Sequence, residues 1–448
     1  MGRARDPPTR RGGVSATSTF LDELASIAGG PAHIRHGTDT LPTICGRRPL
    51  ALLEPGSAED VARVLALCSA AGVPVEPAGT GTWLTSGRAP AAAPVILSTR
   101  QLTGLTEYEP ADLVVGVRAG TPMTELARLL AGHGQTLPLD PPALDGATVG
   151  ATLSLAAAGP LRARHGTPRD LTLGIEVATG DGRLLRFGGR VVKNVAGYDA
   201  VRLLVGSRGV LGIVTSAWLL LRGQPQTDVT VVIRAVDLAE AAALALAVRA
   251  AGVGDALEIV WLSSEDRDAG GQAGWCVAIR LRGSEVSVHA DRDRLRAVAG
   301  RSGQAGAGAD FWNRLCLDEA RATAYFRLAA PSGALASTLT AALYLGPPGE
   351  WQIAAHAADG IVRVWRLPAA GPLAGQGDAA RLAARAAEVA ADLATLGGTL
   401  NCPVLPAELQ GLLEPYCSPS PKSLALMRGI RHAFDPAGIL SPGRHALG

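Results

Sequence analysis

The sequence predicts an α+β protein of two or three domains. Three observations point there. The chain has 448 residues, too many for one ordinary core. A strand–helix–strand run starts near Leu50 and ends in glycines, and an alternating hairpin follows over residues 171–189. Hydrophobic residues make up 47% of the chain and aromatic residues 4%, an Ala- and Gly-rich globular composition. The formal charge is +2 with the arginines scattered, which argues against nucleic acid as the main partner. No stretch offers the roughly eighteen unbroken apolar residues that a membrane-spanning helix needs.

The elements follow in order. The opening "MGRARDPPTRRGG" is basic, rich in Pro and Gly, and not followed by an apolar h-region; it reads as a disordered start without an export signal. The expected location is therefore cytoplasmic, with any membrane association made through partner subunits. "ALLEPGSAEDVARVLALCSAAGVPVEPAGTGTWLTSG" begins with a short strand. Ser57 then caps a helix from Ala58 to Ala71 that stops at Gly72. A second strand, "VPVEPAG", runs into Gly79-Thr80-Gly81-Thr82, where backbone N–H groups can hold an anion. A tight turn with no ligand would look the same. Next come a strand over 113–117 and a helix over 122–131. Between Gly146 and Gly159 nearly every residue is small, which suits close approach to a large planar ligand or close packing between elements. The hairpin "LTLGIEVATGDGRLLRFGG" turns at Gly-Asp-Gly, and "GSRGVLGIVTSAWLLL" is a glycine turn entering a β-branched strand.

The six cysteines are far apart with no C-x-x-C, and they read as buried or incidental thiols. The eight histidines include no H-x-x-x-H or H-x-H pair, so nothing local nominates a metal.

These residues carry a resemblance. The turn 77–82, Ala147-Thr148-Val149-Gly150, Arg164-His165-Gly166, Arg169-Asp170, Lys193 with Gly197-Tyr198-Asp199, Gly206-Ser207-Arg208-Gly209 and the ending "FDPAGILSPGRH" together resemble the vanillyl-alcohol-oxidase (PCMH-type) FAD-binding family. Within it the chain is most similar to the GlcE-type FAD-binding subunits of bacterial glycolate oxidase (glycolate dehydrogenase). The strong part covers residues 50–222, with a second anchor at 395–445. The resemblance implies a PCMH-type domain of two α+β subdomains clasping FAD, plus an α+β cap. The expected division is an N-terminal extension at 1–40, the FAD-binding domain at 41–222, the cap at 223–400, and a C-terminal segment at 401–448 returning to the FAD domain.

It also implies where FAD lies. The pyrophosphate would sit on Ala78, Gly79, Thr80, Gly81 and Thr82. The flavin would lie near Gly150, Ala151 and Thr152 and from Ala158 and Gly159 to His165 and Gly166, and the adenine side near Gly209 and Ile213; Gly146, Ala147, Asp170 and Val214 would also bind the cofactor. Ala151 stands where relatives often have a second Gly, and His165 where they commonly carry Tyr. Non-covalent FAD is expected.

The chain writes nearly every positive charge as Arg, yet Lys193, one of two lysines, sits among glycines beside Asn194. Its compact ammonium suits either the flavin's N1–C2=O edge or backbone carbonyls in the turn. Oxidation of a hydroxy acid also needs a base and a carboxylate anchor. The cap-domain metal motif of catalytic relatives resembles H-x-G-D-G-N-x-H, and "HAADGIVRV" from His356 to Val364 lacks the second His and the Asn. His356 as base and Arg363 or Arg321 as anchor are candidates; the plainer reading has a surface histidine and structural arginines. The expectation is thus a flavoprotein subunit that passes electrons through FAD and does not itself turn over glycolate. Its partners would be a second, substrate-oxidising flavoprotein and an iron–sulfur subunit. The alternatives are a stand-alone 2-hydroxy-acid oxidoreductase and a non-catalytic flavin-stabilised scaffold.

Overall fold

The computed structural model describes residues 13–37, 40–190, 198–266, 272–301, 303–306, 309–371, 373 and 376–445. Local signals set the first layer. Ser57 accepts a hydrogen bond from the Asp60 N–H, the helix Ala58–Ala71 runs as expected, and Gly72 ends it in the left-handed region at φ 65°. Its buried stripe of Val61, Val64, Leu65 and Cys68 packs on strands Ala51–Leu53, Val75–Ala78 and Val95–Ser98. A helical crossover makes those strands parallel.

The sheet also takes in Ile34–His36 as an antiparallel edge. Leu24 and Ala28, at the end of the helix Gly13–Ile27, sit in the same core. This layer thus extends into the segment that sequence assigns to an N-terminal extension.

The second sheet has five antiparallel strands in the order Leu105–Glu109, Val114–Arg118, Ile213–Leu220, Thr172–Ala178 and Leu184–Gly188. Ile213–Leu220 is central because seven of its eight residues are buried. Helices Met123–Ala131 and Val149–Leu155 cover one face through Met123, Leu126, Leu130, Val149 and Leu153.

An eight-stranded antiparallel sheet fills most of residues 227–404. Period-two alternation divides its side chains. Val231 and Ile233 join the core under the helices Leu238–Ala250, Leu335–Leu345 and Gln376–Thr395. Val232 faces the other way, with Cys276, Ala354 and Trp365, onto Phe311, Trp312 and Leu161. Leu161 follows the small-residue segment 146–159, so this face lies against that part of the chain. Strand Thr399–Val404 is one edge of the sheet.

After the helix Pro421–Phe434 the chain returns to the first layer. The buried Asp435 carboxylate accepts from the N–H groups of Ile439 (3.0 Å) and Leu440 (2.9 Å), and Val75 bonds both Ile439 and Ser441. This delivers Arg444, which is 1% exposed, to the back of the glycine-rich turn. Arg444 donates to the Glu76 carboxylate and to the carbonyls of Leu84 (2.9 Å), Ser86 and Arg88 (3.1 Å).

Among the described residues no helix is long and apolar enough to cross a membrane. Four of the six free thiols are buried, Cys45 is half-buried, and Cys417 is exposed.

Burial pushes the Glu76 carboxyl up while Arg444 holds it down. Arg444→Met strands that carboxylate in the interior, and we expect a loss of about 3–5 kcal/mol in urea unfolding. Adding Glu76→Gln should return much of it. Equal losses in the single and double variants would show that the pair is not what holds this corner.

Candidate functional site

The glycine-rich turn builds one wall of a groove. Gly81 adopts φ 95°, which residues with side chains avoid, and the hydroxyls of Thr80 and Thr82 donate to the Gly146 carbonyl. The backbone N–H groups of Thr80, Gly81 and Thr82 donate to nothing among the described residues. Three successive free amides form an anion cradle. The opposite wall is Gly150, Ala151, Ser154, Leu155, Gly209, Ile213 and Val214. The groove therefore offers amides for a pyrophosphate and small or apolar residues for flat rings, which is the donor set a dinucleotide needs.

Residues 49–188 match the family described as an FAD binding domain. This part of the chain is a PCMH-type FAD-binding domain. The cofactor is FAD.

Among relatives, glycolate oxidase subunit GlcE of Escherichia coli (strain K12) is 38% identical over 222 residues, 49% of this chain and 57% of that one. Glycolate oxidase subunit GlcD of Bacillus subtilis (strain 168) is 34% identical over 182 residues, 41% of this chain and 39% of that one. D-Lactate dehydrogenase of Archaeoglobus fulgidus is 32% identical over 217 residues, 48% of each chain. The chain thus spans about half the length of the curated relatives it matches. A solved alkyldihydroxyacetonephosphate synthase shares the fold with TM-score 0.71 at 15% identity, over 98% of this chain and 86% of that one.

The FAD groove opens into a second cavity of about 420 Å³, with Thr82, Trp83, Ser86, Leu155 and Arg208 lining both. The second cavity lies between the FAD-binding side and the large sheet. Five arginines line it: Arg162, Arg169, Arg208, Arg327 and Arg363. Sheet register brings part of this together, for Glu258 lies opposite His356 and Arg327 opposite Arg363. Glu258 is fully buried and contacts His356 Nδ1, while Arg363 donates to Glu258 (2.8 Å) and to Glu319. Glu319 also accepts from the Tyr325 hydroxyl at 2.7 Å. Burial pushes the Glu258 carboxyl up, but Arg363 and His356 outweigh it and hold it below the ordinary range. Burial and then Arg363 push His356 below 6.5, so its imidazole is neutral.

The remaining arginines differ in how they are satisfied. Arg162 pairs with Asp359 at 2.6 Å. Arg169 donates to the Val205 carbonyl, and Arg208 donates to the Tyr416 hydroxyl while stacking 4.2 Å from its ring centre. Neither has a carboxylate within ion-pair distance among the described residues. Arg327 has neither an ion pair nor a hydrogen bond there, and burial, with Arg162 and Arg208 nearby, draws its guanidinium below the ordinary value. Like charges opposite each other across a sheet repel; Arg363 is paired with two carboxylates, while Arg327 has none within ion-pair distance among the described residues and Glu319 offsets its charge only in part. An anion in the cavity relieves that field.

The other residues expected at the cofactor do not line the first groove. Ala147 and Thr152 are fully buried in the layer beneath the groove. Gly159 packs on Asp140, whose carbonyl would lie 2.0 Å from an added Cβ. Asp170 closes a capping box with Thr167, and Gly166 faces it. His165 turns toward the large sheet, with Nε2 3.5 Å from Asp255. Gly146 contributes its carbonyl to the turn, and Ala158 lines the arginine cavity.

His356, expected at the surface, is 3% exposed because two strands and the Glu258 carboxylate enclose it. Arg321 is exposed and lines neither cavity. Lys193 lies outside the described residues. Sequence reasoning missed Glu258, Glu319, Tyr325 and Arg327; the only hint was that Tyr325 and Arg327 alternate with apolar residues in "AYFRLA".

Gly150 lines the groove, yet its need for glycine comes from behind. An added Cβ would lie 2.7 Å from the Ala119 Cβ and 3.1 Å from its carbonyl. Gly150→Ala is therefore expected to cost about 1–3 kcal/mol through overpacking, with similar melting losses in FAD-free and FAD-loaded protein. A loss confined to the FAD-loaded form would make the flavin the constraint instead.

Proposed function

We propose that this chain is an FAD-dependent 2-hydroxy-acid oxidoreductase, acting as a flavoprotein subunit of a glycolate oxidase-like assembly. The observation that carries this reading is the arginine cavity joined to the FAD groove around a neutral, carboxylate-held histidine. A 2-hydroxy acid brings a carboxylate and a hydroxyl into such a space. Arg327, with Arg169 and Arg208 nearby, binds the carboxylate. His356, oriented by Glu258 through Nδ1, keeps Nε2 to take the hydroxyl proton. Arg363 holds Glu258 and Glu319 in place, and Tyr325 fixes Glu319. When bound, FAD supplies the two-electron acceptor.

The missing paired-His motif favours a chain that only relays electrons. The cavity supports substrate oxidation by the chain itself, since it assembles base and anchor from separate strands. The named relatives are glycolate oxidase subunits, D-lactate dehydrogenases and D-2-hydroxyglutarate dehydrogenases, all concerned with 2-hydroxy acids. The subunit names support a multi-subunit assembly; the second flavoprotein and the iron–sulfur subunit belong to this reading through the sequence resemblance alone. FAD is held non-covalently in this reading, because His165 is engaged away from the groove.

Anaerobic stopped-flow mixing of the FAD-loaded chain with glycolate or D-lactate tests the proposal by loss of flavin absorbance. A flavin that stays oxidised with both would return the chain to an electron-relay role.

Arg327→Met is expected to raise the substrate KM about 10- to 100-fold, as for loss of a hydrogen bond to a charged group, with FAD content unchanged. An unaltered KM would remove Arg327 from the site. His356 supplies the pH signature. Its pKa is depressed below 6.5, so the base stays unprotonated and the acid limb of kcat/KM should lie below pH 6.5. His356→Gln should abolish that limb together with most of the rate. A limb centred at or above 6.5 would point to another base.

A further inference from the structure

The partition that ends the FAD groove at Arg208 and His445 has a second side. Behind it is a cavity of about 310 Å³ against the helices Ala200–Leu204 and Pro421–Phe434. Its walls are apolar, from Leu203, Leu211, Met427 and Ile430, and its polar end is Arg208, Tyr416 and His445. Arg208 lines all three cavities, and His445 lines the FAD groove and this one.

We propose that this apolar pocket binds a quinone-type electron acceptor, with its ring among the apolar walls and an oxygen toward Arg208, Tyr416 and His445. The inference rests on the redox reading above, since oxidation of a hydroxy acid requires an acceptor. The hydroxy acid loses two electrons and two protons and becomes the 2-oxo acid. The quinone takes up both and leaves as the quinol.

Several features select this ligand class. The volume falls in the range of small-molecule sites, and mostly apolar walls with a few convergent polar groups are their usual composition. The polar end can donate to a carbonyl oxygen. His445 Nδ1 is buried without a partner, close to where a side chain on Gly87 would lie. An unmet acceptor is better tolerated than an unmet N–H, so the proton belongs on Nε2. Burial, with Arg208 and Arg444 beside it, pushes His445 down to about 3, so the ring is neutral. Tyr416 accepts from Arg208 at 2.8 Å and lies 3.1 Å from the Ser86 hydroxyl.

The test uses the FAD-loaded full chain and decylubiquinone. Binding is measured by equilibrium dialysis. Reoxidation is measured after chemical reduction with dithionite, so neither readout depends on a hydroxy acid. We expect saturable binding of one quinone per chain. Met427→Trp, which fills the cavity, and Leu203→Glu, which charges its half-exposed rim, should each weaken binding and slow reoxidation at least 10-fold. FAD content and reoxidation by ferricyanide should be unchanged in both. Quinone binding and reoxidation unaltered in both variants would overturn the proposal. So would absence of binding to the unaltered chain, including the case in which a partner subunit protects the helix Pro421–Phe434 from hydrogen exchange and so claims the pocket as a protein interface. If hydroxy acids fail to reduce the flavin while the quinone still binds here, the substrate reading falls and this site stands.

Discussion

A turn that offers free N–H groups to an anion cannot satisfy them internally, so something else must hold its shape. Here it is the buried pairing of Arg444 with Glu76, reinforced by three carbonyl bonds from the same guanidinium to residues 84, 86 and 88. The two charged residues lie 368 positions apart. The turn that sequence places in the first fifth of the chain is therefore held in shape only when the last dozen residues have docked. Arginine suits this post because one planar group can meet a carboxylate and several carbonyls at once. A buried pair gains little net stability over an apolar substitute, so its value lies in specifying where the turn sits.

The arginine cavity follows a different electrostatic rule. Around His356 every group has a partner: Arg363 meets both Glu258 and Glu319, the neutral His356 contacts Glu258, and Tyr325 donates to Glu319. That network is closed, and it holds the imidazole still and neutral. Arg327, one register position across the sheet from Arg363, is left out. Such an imbalance is costly in an empty protein and favourable with an anion present, which is the pattern of a binding group and not of a structural one. The short helix Arg162–His165 bridges the two sides of the cavity through Asp359 and Asp255, so the cavity's width depends on those surface-to-sheet contacts.

Glycines in the small-residue run divide by what surrounds them. At Gly150 and Gly159 the space a side chain would fill is taken by Ala119 and Asp140. At Gly81 the constraint is the dihedral angle itself. Composition leaves flavin approach and element packing both open; at Gly150 one side packs on Ala119 and the other lines the groove.

What the sequence determined by itself was local. The Ser57 cap, the Gly72 stop, the strand into Gly79–Thr82 and the hairpin after Leu171 depend on residues a few positions apart, and their dihedral and hydrogen-bond preferences act without the rest of the chain. The FAD groove was legible for that reason, since its anion cradle is one continuous turn. The tertiary structure decided the rest. Glu258, Arg327 and His356 come from different strands of a sheet whose strands are out of sequence order, Glu319 comes from the helix Ala309–Ala320, and no local pattern distinguishes a strand Arg that faces a cavity from one that faces water. Only strand register puts Glu258 beside His356 and Arg327 beside Arg363, and register is set by how an eight-stranded sheet divides its side chains between two cores.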